Sequence, residues 1–161
     1  YTLHMIKRIL IAILLPILLL SQSICYSQTE KIKKHYNISK QSLAIEGYDP
    51  VAYFTNNEAI KGLKENMVSY QGINYLFSSI TNKELFKINA SKYIPQYGGW
   101  CAFAMGSTGE KVEIDPETFK VKDGKLYLFY HSWTNNTLTK WNKDEANLKM
   151  KADINWSKII L

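Results

Sequence analysis

The sequence predicts a small, single α+β domain made of two antiparallel β-hairpins with short helices packed on them. Two observations predict the hairpins: β-prone runs flank Gly72 within residues 67–78, and a second pair flanks Asp123-Gly124 within residues 118–130. A third observation is that strands and helices do not alternate in the way that builds a parallel sheet. The chain has 161 residues, which is enough for one domain with a hydrophobic core.

Residues 1–27 have the order of charged, apolar and small residues that is typical of a secretory signal peptide. A basic pair precedes the apolar run Ile9 to Leu20, and small residues follow it. We expect cleavage after Ser27, so that the mature chain begins at Gln28 and is exported to the periplasm or the extracellular space. The apolar run is shorter than the roughly 20 residues that a spanning helix needs, and a retained membrane anchor is the less favoured alternative.

The charge balance argues against a nucleic-acid partner. Cleavage removes Lys7 and Arg8, so the formal net charge falls from +6 to +4 and no arginine remains. Arginine normally makes the forked contacts to phosphate and guanine in nucleic-acid complexes, and export also separates the protein from nucleic acid. Only Cys101 remains as a cysteine after cleavage, which excludes an internal disulfide framework.

The mature chain divides into a polar lead-in and a folded domain. We expect residues 28–42 to form the solvated lead-in and residues 43–161 to form the domain. Residues 79–88 have the apolar spacing of a short amphipathic helix, and residues 135–161 have the spacing of two short helices that close the domain.

The stretch from Tyr93 to Met105 offers more possible chemistry than any other. Tyr97 and Trp100 flank a glycine pair that permits a sharp turn, and a short helix can follow. On such a helix Cys101 and Met105 are one turn apart, so two soft sulfur atoms would face the same way. Cysteine and methionine are also among the most frequently buried residue types, and a purely structural role for both stays open.

A second irregular segment precedes the first hairpin. Asp49 can cap a short helical turn that Pro50 opens, which is a structural role. Alternatively, the Tyr48 hydroxyl and the Asp49 carboxylate line a pocket. We predict that these two residues join Tyr97 and Trp100 in one composite ligand-binding surface.

Three separated motifs occur in a fixed order along the chain. They are Gly-Tyr-Asp-Pro-Val-Ala-Tyr-Phe from position 47, Tyr-x-Gly-x-x-Tyr-x-Phe-Ser-Ser from position 70 and Pro-Gln-Tyr-Gly-Gly-Trp-Cys-Ala from position 95. Together they resemble the YHS domain family in its exported, single-domain branch. The resemblance covers roughly residues 43–156.

The resemblance implies a binding domain, because the family is associated with heavy metals and notably with the handling of copper and mercury. The family holds metal through cysteines in the patterns Asp-Pro-Val-Cys and Cys-Ser-x-x-Cys. This chain has Ala52, Ser78 and Asn82 at those cysteine positions. A closed thiolate site needs about four strong ligands, so the usual site is absent.

These observations leave three hypotheses for the function. In the first, Cys101 and Met105, with His131 or a tyrosine as a further ligand, hold a soft metal ion such as copper(I). In the second, an aromatic pocket binds a small ligand or a protein partner, and Cys101 is structural. In the third, Cys101 is the thiol of an enzyme, which requires a base or cation nearby to lower its pKa. Neither His35 nor His131 lies in a catalytic motif, which argues against the enzyme.

Overall fold

The computed structural model describes residues 33–161, so the predicted signal peptide and its cleavage site lie outside the described residues. The described chain is a small α+β domain, which confirms the predicted fold class. It has three two-stranded antiparallel sheets and six α-helices within these residues. The strands are β1 (Leu63–Tyr70), β2 (Ile73–Phe77), β3 (Asp115–Lys122), β4 (Lys125–Phe129), β5 (His131–Ser132) and β6 (Asn135–Asn136). The helices are α1 (Ala52–Thr55), α2 (Ile80–Ile88), α3 (Ala90–Tyr93), α4 (Ala102–Ser107), α5 (Thr137–Trp141) and α6 (Glu145–Ile160).

Both predicted hairpins form, and their turns have the same geometry. Strand β1 pairs with β2 through the turn Gln71-Gly72, and β3 pairs with β4 through Asp123-Gly124. All four turn residues have positive φ, between 50° and 71°. Two-residue loops of this kind match the twist of the flanking strands, which explains why asparagine, aspartate and glycine signals predict them well.

The end of the chain differs from the prediction. A third small hairpin, β5 with β6, precedes α5, and its tip carries the fully exposed Trp133. Helix α6 has 16 residues, which is longer than the short helix expected there. Its buried residues Leu148 and Ala152 are one turn apart, so a narrow apolar stripe is enough to hold a long helix on the domain.

Strand β4 lies at the centre of the core because both of its faces are buried. Leu126 and Leu128 point into one hydrophobic cluster, which also contains the side chains of β2, α2 and α3. Tyr127 and Phe129 point into a second cluster with α4, α5 and α6. Alternate residues of a strand face opposite sides, so this one strand joins the two halves of the core.

The part of the lead-in that the structure describes packs on the domain, which corrects the expectation of a solvated segment. The backbone N–H of Asn37 donates a 2.8 Å hydrogen bond to the Gly98 carbonyl, and the Trp100 indole donates one of 2.7 Å to the His35 carbonyl. The half-buried Tyr36 ring meets Trp156 of α6 edge to face, with ring centroids 6.0 Å apart. The Tyr36 ring and these two hydrogen bonds together hold the polar segment on the domain.

No helix among residues 33–161 is both long and apolar enough to cross a membrane.

Candidate functional site: an aromatic groove beside Tyr97

An open groove of about 380 Å³ lies between the lead-in, the 3₁₀ turn Gln96–Gly99 and helix α6. Its volume falls in the range that small-molecule sites usually have. Four rings contribute to its lining, from Tyr36, Tyr70, Tyr97 and Trp156. Polar side chains complete it, among them Gln71, Ser91, Gln96, Asp153 and Ser157. We call this cavity the aromatic groove.

The backbone at the floor of the groove is strained. Tyr97 has φ 54° and ψ 35°, and Gly98 and Gly99 follow with φ 61° and 85°, so three consecutive residues have positive φ. This conformation costs a residue with a Cβ roughly 1 kcal/mol or more. There is also no room for a side chain at Gly98, because an added Cβ would lie 2.7 Å from Cη2 of Trp156 and 3.2 Å from Cα of Tyr36. The turn therefore lets two walls of the groove approach each other closely.

Tyr97 and Asp153 form a polar pair in the groove. The Tyr97 hydroxyl donates a 2.9 Å hydrogen bond to Oδ1 of Asp153, and Lys149 donates one of 2.7 Å to Oδ2. Burial raises the pKa of Tyr97, and the hydrogen bond to Asp153 raises it further, so the phenol stays protonated. Within the described part of the chain, Asp153 is the one carboxylate side chain that lines the groove.

Tyr36 and Tyr70 also contribute their rings to the lining of the groove. Burial raises the pKa of Tyr36, and the neighbouring Tyr70 phenol raises it further. The Tyr70 ring also packs edge to face on Phe86 of the core, with centroids 6.0 Å apart. This contact fixes the position of one wall from within the domain.

The predicted composite surface is divided between different parts of the structure. Tyr97 lines the aromatic groove, whereas Trp100 lies beside it and holds the lead-in through His35. Tyr48 and Asp49 do not line the groove. The sequence thus identified one residue of the groove and one residue that supports it.

Asp49 is fully buried and holds three segments together. Its Oδ1 accepts hydrogen bonds from the backbone of Val51 and Ala52, which is the capping role that the sequence predicts. Its Oδ2 accepts from the backbone and hydroxyl of Ser78, at 2.8 and 2.6 Å, and from the Asn82 amide at 2.7 Å. Ser78 and Asn82 are the residues found at the cysteine positions of the YHS pattern. A polar hydrogen-bonded cluster therefore occupies this part of the chain.

Tyr48 and His131 both lie near the start of β3. The Tyr48 hydroxyl donates a 3.1 Å hydrogen bond to Oε1 of Glu117, and partial burial followed by this bond raises the Tyr48 pKa. The His131 Nδ1 lies 3.3 Å from Oδ2 of Asp115 and 3.2 Å from the Thr118 hydroxyl. These contacts are on the surface. Neither acidic partner, Glu117 or Asp115, was identified from the sequence.

Cys101 is fully buried and takes part in a closed ring of hydrogen bonds. Its sulfur accepts the Tyr130 amide at 3.3 Å and lies 3.4 Å from the Thr137 hydroxyl. That hydroxyl donates its own hydrogen to the Tyr130 carbonyl at 2.7 Å, so the thiol is left to donate to Thr137. The ring requires the protonated thiol, which is neither the nucleophile nor the metal ligand of cysteine chemistry.

Met105 is also fully buried, but in the other half of the core. Helix α4 begins after Cys101, whose side chain packs in the first hydrophobic cluster, whereas Met105 packs in the second. Within the described part of the chain, no group of three or more His, Cys, Asp or Glu side chains could hold a metal ion. The soft-metal site of Cys101, Met105 and His131 therefore stays a prediction without a ligand cluster to support it.

Most residues of the groove were not singled out as functional from the sequence. Tyr36 lay in the polar lead-in, and Asp153 and Trp156 lay in the segment that was assigned only to two closing helices. A tyrosine inside a lysine-rich polar segment is the one local signal that could have pointed to the groove.

Comparisons of the chain with models of known families, with characterised proteins and with solved structures found no match.

Proposed function

We propose that this chain is an exported, non-catalytic binding domain that takes a small organic ligand in the aromatic groove. The observation that carries the proposal is the combination of a cavity of about 380 Å³, aromatic walls and the oriented Tyr97–Asp153 pair. Sites for small molecules typically combine apolar or aromatic walls with a few fixed polar groups. The resemblance to the YHS domain family also supports binding over catalysis.

The other two hypotheses receive less support from the geometry. A thiol enzyme needs an accessible thiolate, and Cys101 is buried with Tyr130 and Thr137 as the hydrogen-bond partners of its sulfur. Neither partner is a base or a cation, so no group in contact with the sulfur would activate it as a nucleophile. A soft-metal site needs converging ligands, and the two sulfur atoms belong to different clusters of the core.

The proposal can be tested by fragment screening with two-dimensional amide NMR. Groove ligands should shift the amides of residues 96–98 and 153–157, which lie on the two sides of the cavity. Trp156→Ala and Tyr36→Ala should each abolish binding by removing a wall. Trp133→Ala is the matched control, because its ring is fully exposed on another element and should not affect binding.

A library of several hundred fragments that shifts none of these amides would contradict the proposal. So would hits that map to another surface, or hits that bind the two wall variants as well as they bind the wild-type protein.

A further inference from the structure

We propose that the aromatic groove selects organic cations, and in particular ligands that present an ammonium group. This inference rests on the proposed function, because it names the ligand class of the same groove. It follows from the charges around the cavity, from its rings and from the contacts of one carboxylate.

Among residues 33–161, the charges that line the groove have one sign. Asp153 is the one charged residue of this range in the lining, and none of its lysines or histidines lines the groove. This asymmetry is informative because the whole chain is basic, with a formal net charge of +6. A site for phosphate or carboxylate ligands usually presents a cationic side chain to the anion. The lining therefore disfavours anions and favours cations.

The rings of the groove suit a cation as well. Tyr36 and Trp156 both line the groove and meet at 71°, with ring centroids 6.0 Å apart. An ammonium group over the face of tyrosine or tryptophan is attracted by the ring quadrupole. Aromatic walls combined with one carboxylate are the usual composition of sites that recognise alkylated ammonium groups.

Asp153 already binds a cation that a ligand can replace. Lys149 donates to Oδ2 at 2.7 Å, but the two side chains are 36% and 48% exposed, so this ion pair adds little stability. The Tyr97 hydroxyl meanwhile donates its hydrogen bond to the other oxygen, Oδ1. One carboxylate oxygen is thus fixed by the protein, and the other exchanges its surface lysine for the ammonium group of a ligand.

Three probes of nearly the same shape separate charge from size: choline, its neutral isostere 3,3-dimethylbutan-1-ol, and the anion 3,3-dimethylbutanoate. Each is titrated into the folded protein and followed through the amides of residues 96–98 and 153–157. We expect choline to bind at least about tenfold more tightly than the alcohol, and the anion to bind least. Binding of choline should weaken as salt is added, whereas binding of the alcohol should not.

Two substitutions on α6 should act in opposite directions. Asp153→Asn keeps an acceptor for Tyr97 but removes the charge, so choline should then bind no better than the alcohol. Lys149→Met frees the carboxylate, and choline should bind more tightly. Asp144→Asn removes the same charge at the start of α6, away from the groove lining, and should leave choline binding unchanged.

The outcomes distinguish this inference from the function on which it rests. Equal binding of choline and the alcohol, or choline binding that Asp153→Asn leaves intact, would overturn the cation inference while the groove remains a ligand site. If fragments bind the groove but choline and acetylated trimethyl-lysine amide do not, the cation inference also fails. If choline binds and the lysine derivative does not, the ammonium group belongs to a free small molecule. The reverse result identifies a modified lysine side chain of a peptide. If nothing binds the groove at all, the proposed function itself is wrong.

Discussion

The side-chain amide of Asn82 donates a 2.7 Å hydrogen bond to Oδ2 of Asp49, and both residues are buried although 33 positions separate them. Ser78 donates two further hydrogen bonds to the same oxygen. The carboxylate thereby ties the start of α1 to the end of β2 and to the first turn of α2. Each donor that reaches it would be left unpaired in a buried place if the acceptor were lost.

Asp49→Asn should therefore lower the free energy of unfolding by about 3 kcal/mol. Both side-chain oxygens of Asp49 accept hydrogen bonds from neighbouring donors. In asparagine, one of these oxygens is replaced by an NH2 group, which would then face a donor and leave it unpaired. Urea denaturation followed by circular dichroism measures the effect. Asp123→Asn in an exposed turn is the control and should change stability by less than about 0.5 kcal/mol. Equal effects of the two substitutions would contradict the clamping role.

Substitutions at Cys101 should separate hydrogen bonding from thiol chemistry. Cys101→Ser keeps a donor and an acceptor for Thr137 and Tyr130, so it should cost less than Cys101→Val, which leaves the Tyr130 amide unpaired at a cost of roughly 1 to 3 kcal/mol. In the wild-type protein, a thiol reagent should react at the rate at which the domain opens. Fast labelling of the folded protein would show that the thiol is accessible and would reopen the enzyme and metal hypotheses.

Gly98→Ala and Gly124→Ala form a matched pair, since both glycines have positive φ, 61° and 69°. Alanine should be strained at both positions by about 1 kcal/mol. At Gly98 the new methyl group also meets Trp156, whereas at Gly124 nothing lies within 4 Å. We expect Gly98→Ala to lose at least about 1 kcal/mol more than Gly124→Ala in urea denaturation, by overpacking. Equal losses would mean that the Trp156 wall moves aside freely.

Glu145 should make stability depend on acid pH. Partial burial opposes its ionised form, but hydrogen bonds from Lys122, Lys120 and the buried Trp141 outweigh burial and lower its pKa to about 2, from 4.5. Its contribution is therefore fully present above about pH 4.5 and is lost as the pH falls towards 2. Because the lysines are partly exposed and screened, we expect a contribution of roughly 1 kcal/mol.

The measurement for Glu145 is urea denaturation of the wild-type protein and Glu145→Gln at pH 7, 4 and 2.5. The difference between them should shrink with falling pH, because glutamine carries no charge to lose. Glu84→Gln, which breaks an exposed ion pair with Lys87, is the control and should have no comparable pH dependence. A constant difference for Glu145→Gln across this range would contradict the assignment.

Export gives a further prediction. Expression with the complete leader should yield a mature protein that begins at Gln28, and intact mass with N-terminal sequencing measures this. A chain that retains Ile9 to Leu20 would show an anchor in place of a cleaved signal.

The hairpins were predictable because their signals are local. Turn residues such as Gly72 and Gly124 and the alternating runs beside them determine a hairpin within about a dozen positions. The cap at Asp49 was predictable for the same reason, but its bonds to Ser78 and Asn82 were not, since they join residues that only the folded chain brings together. The groove depends on still longer separations, because Tyr36, Tyr97 and Asp153 come from three distant segments.

The placement of Cys101 shows a different limit. An i, i+4 spacing puts two side chains on one face only when both residues are helical, and α4 begins one residue after Cys101. Helix boundaries from sequence are uncertain by a few residues, and here one residue is enough to send the two sulfurs into separate clusters.

The docking of the lead-in separates the part of the chain that folds from the part that recognises. A shortened protein that began at Leu43, where the recognisable motifs start, would keep the side chains of both hydrophobic clusters but lose Tyr36 and the hydrogen bond from Asn37 to Gly98. It should fold and yet bind nothing, so normal expression and a normal melting curve would not reveal the defect. Under the proposed function, the limits of the sequence motifs are narrower than the limits of the segment that binds the ligand.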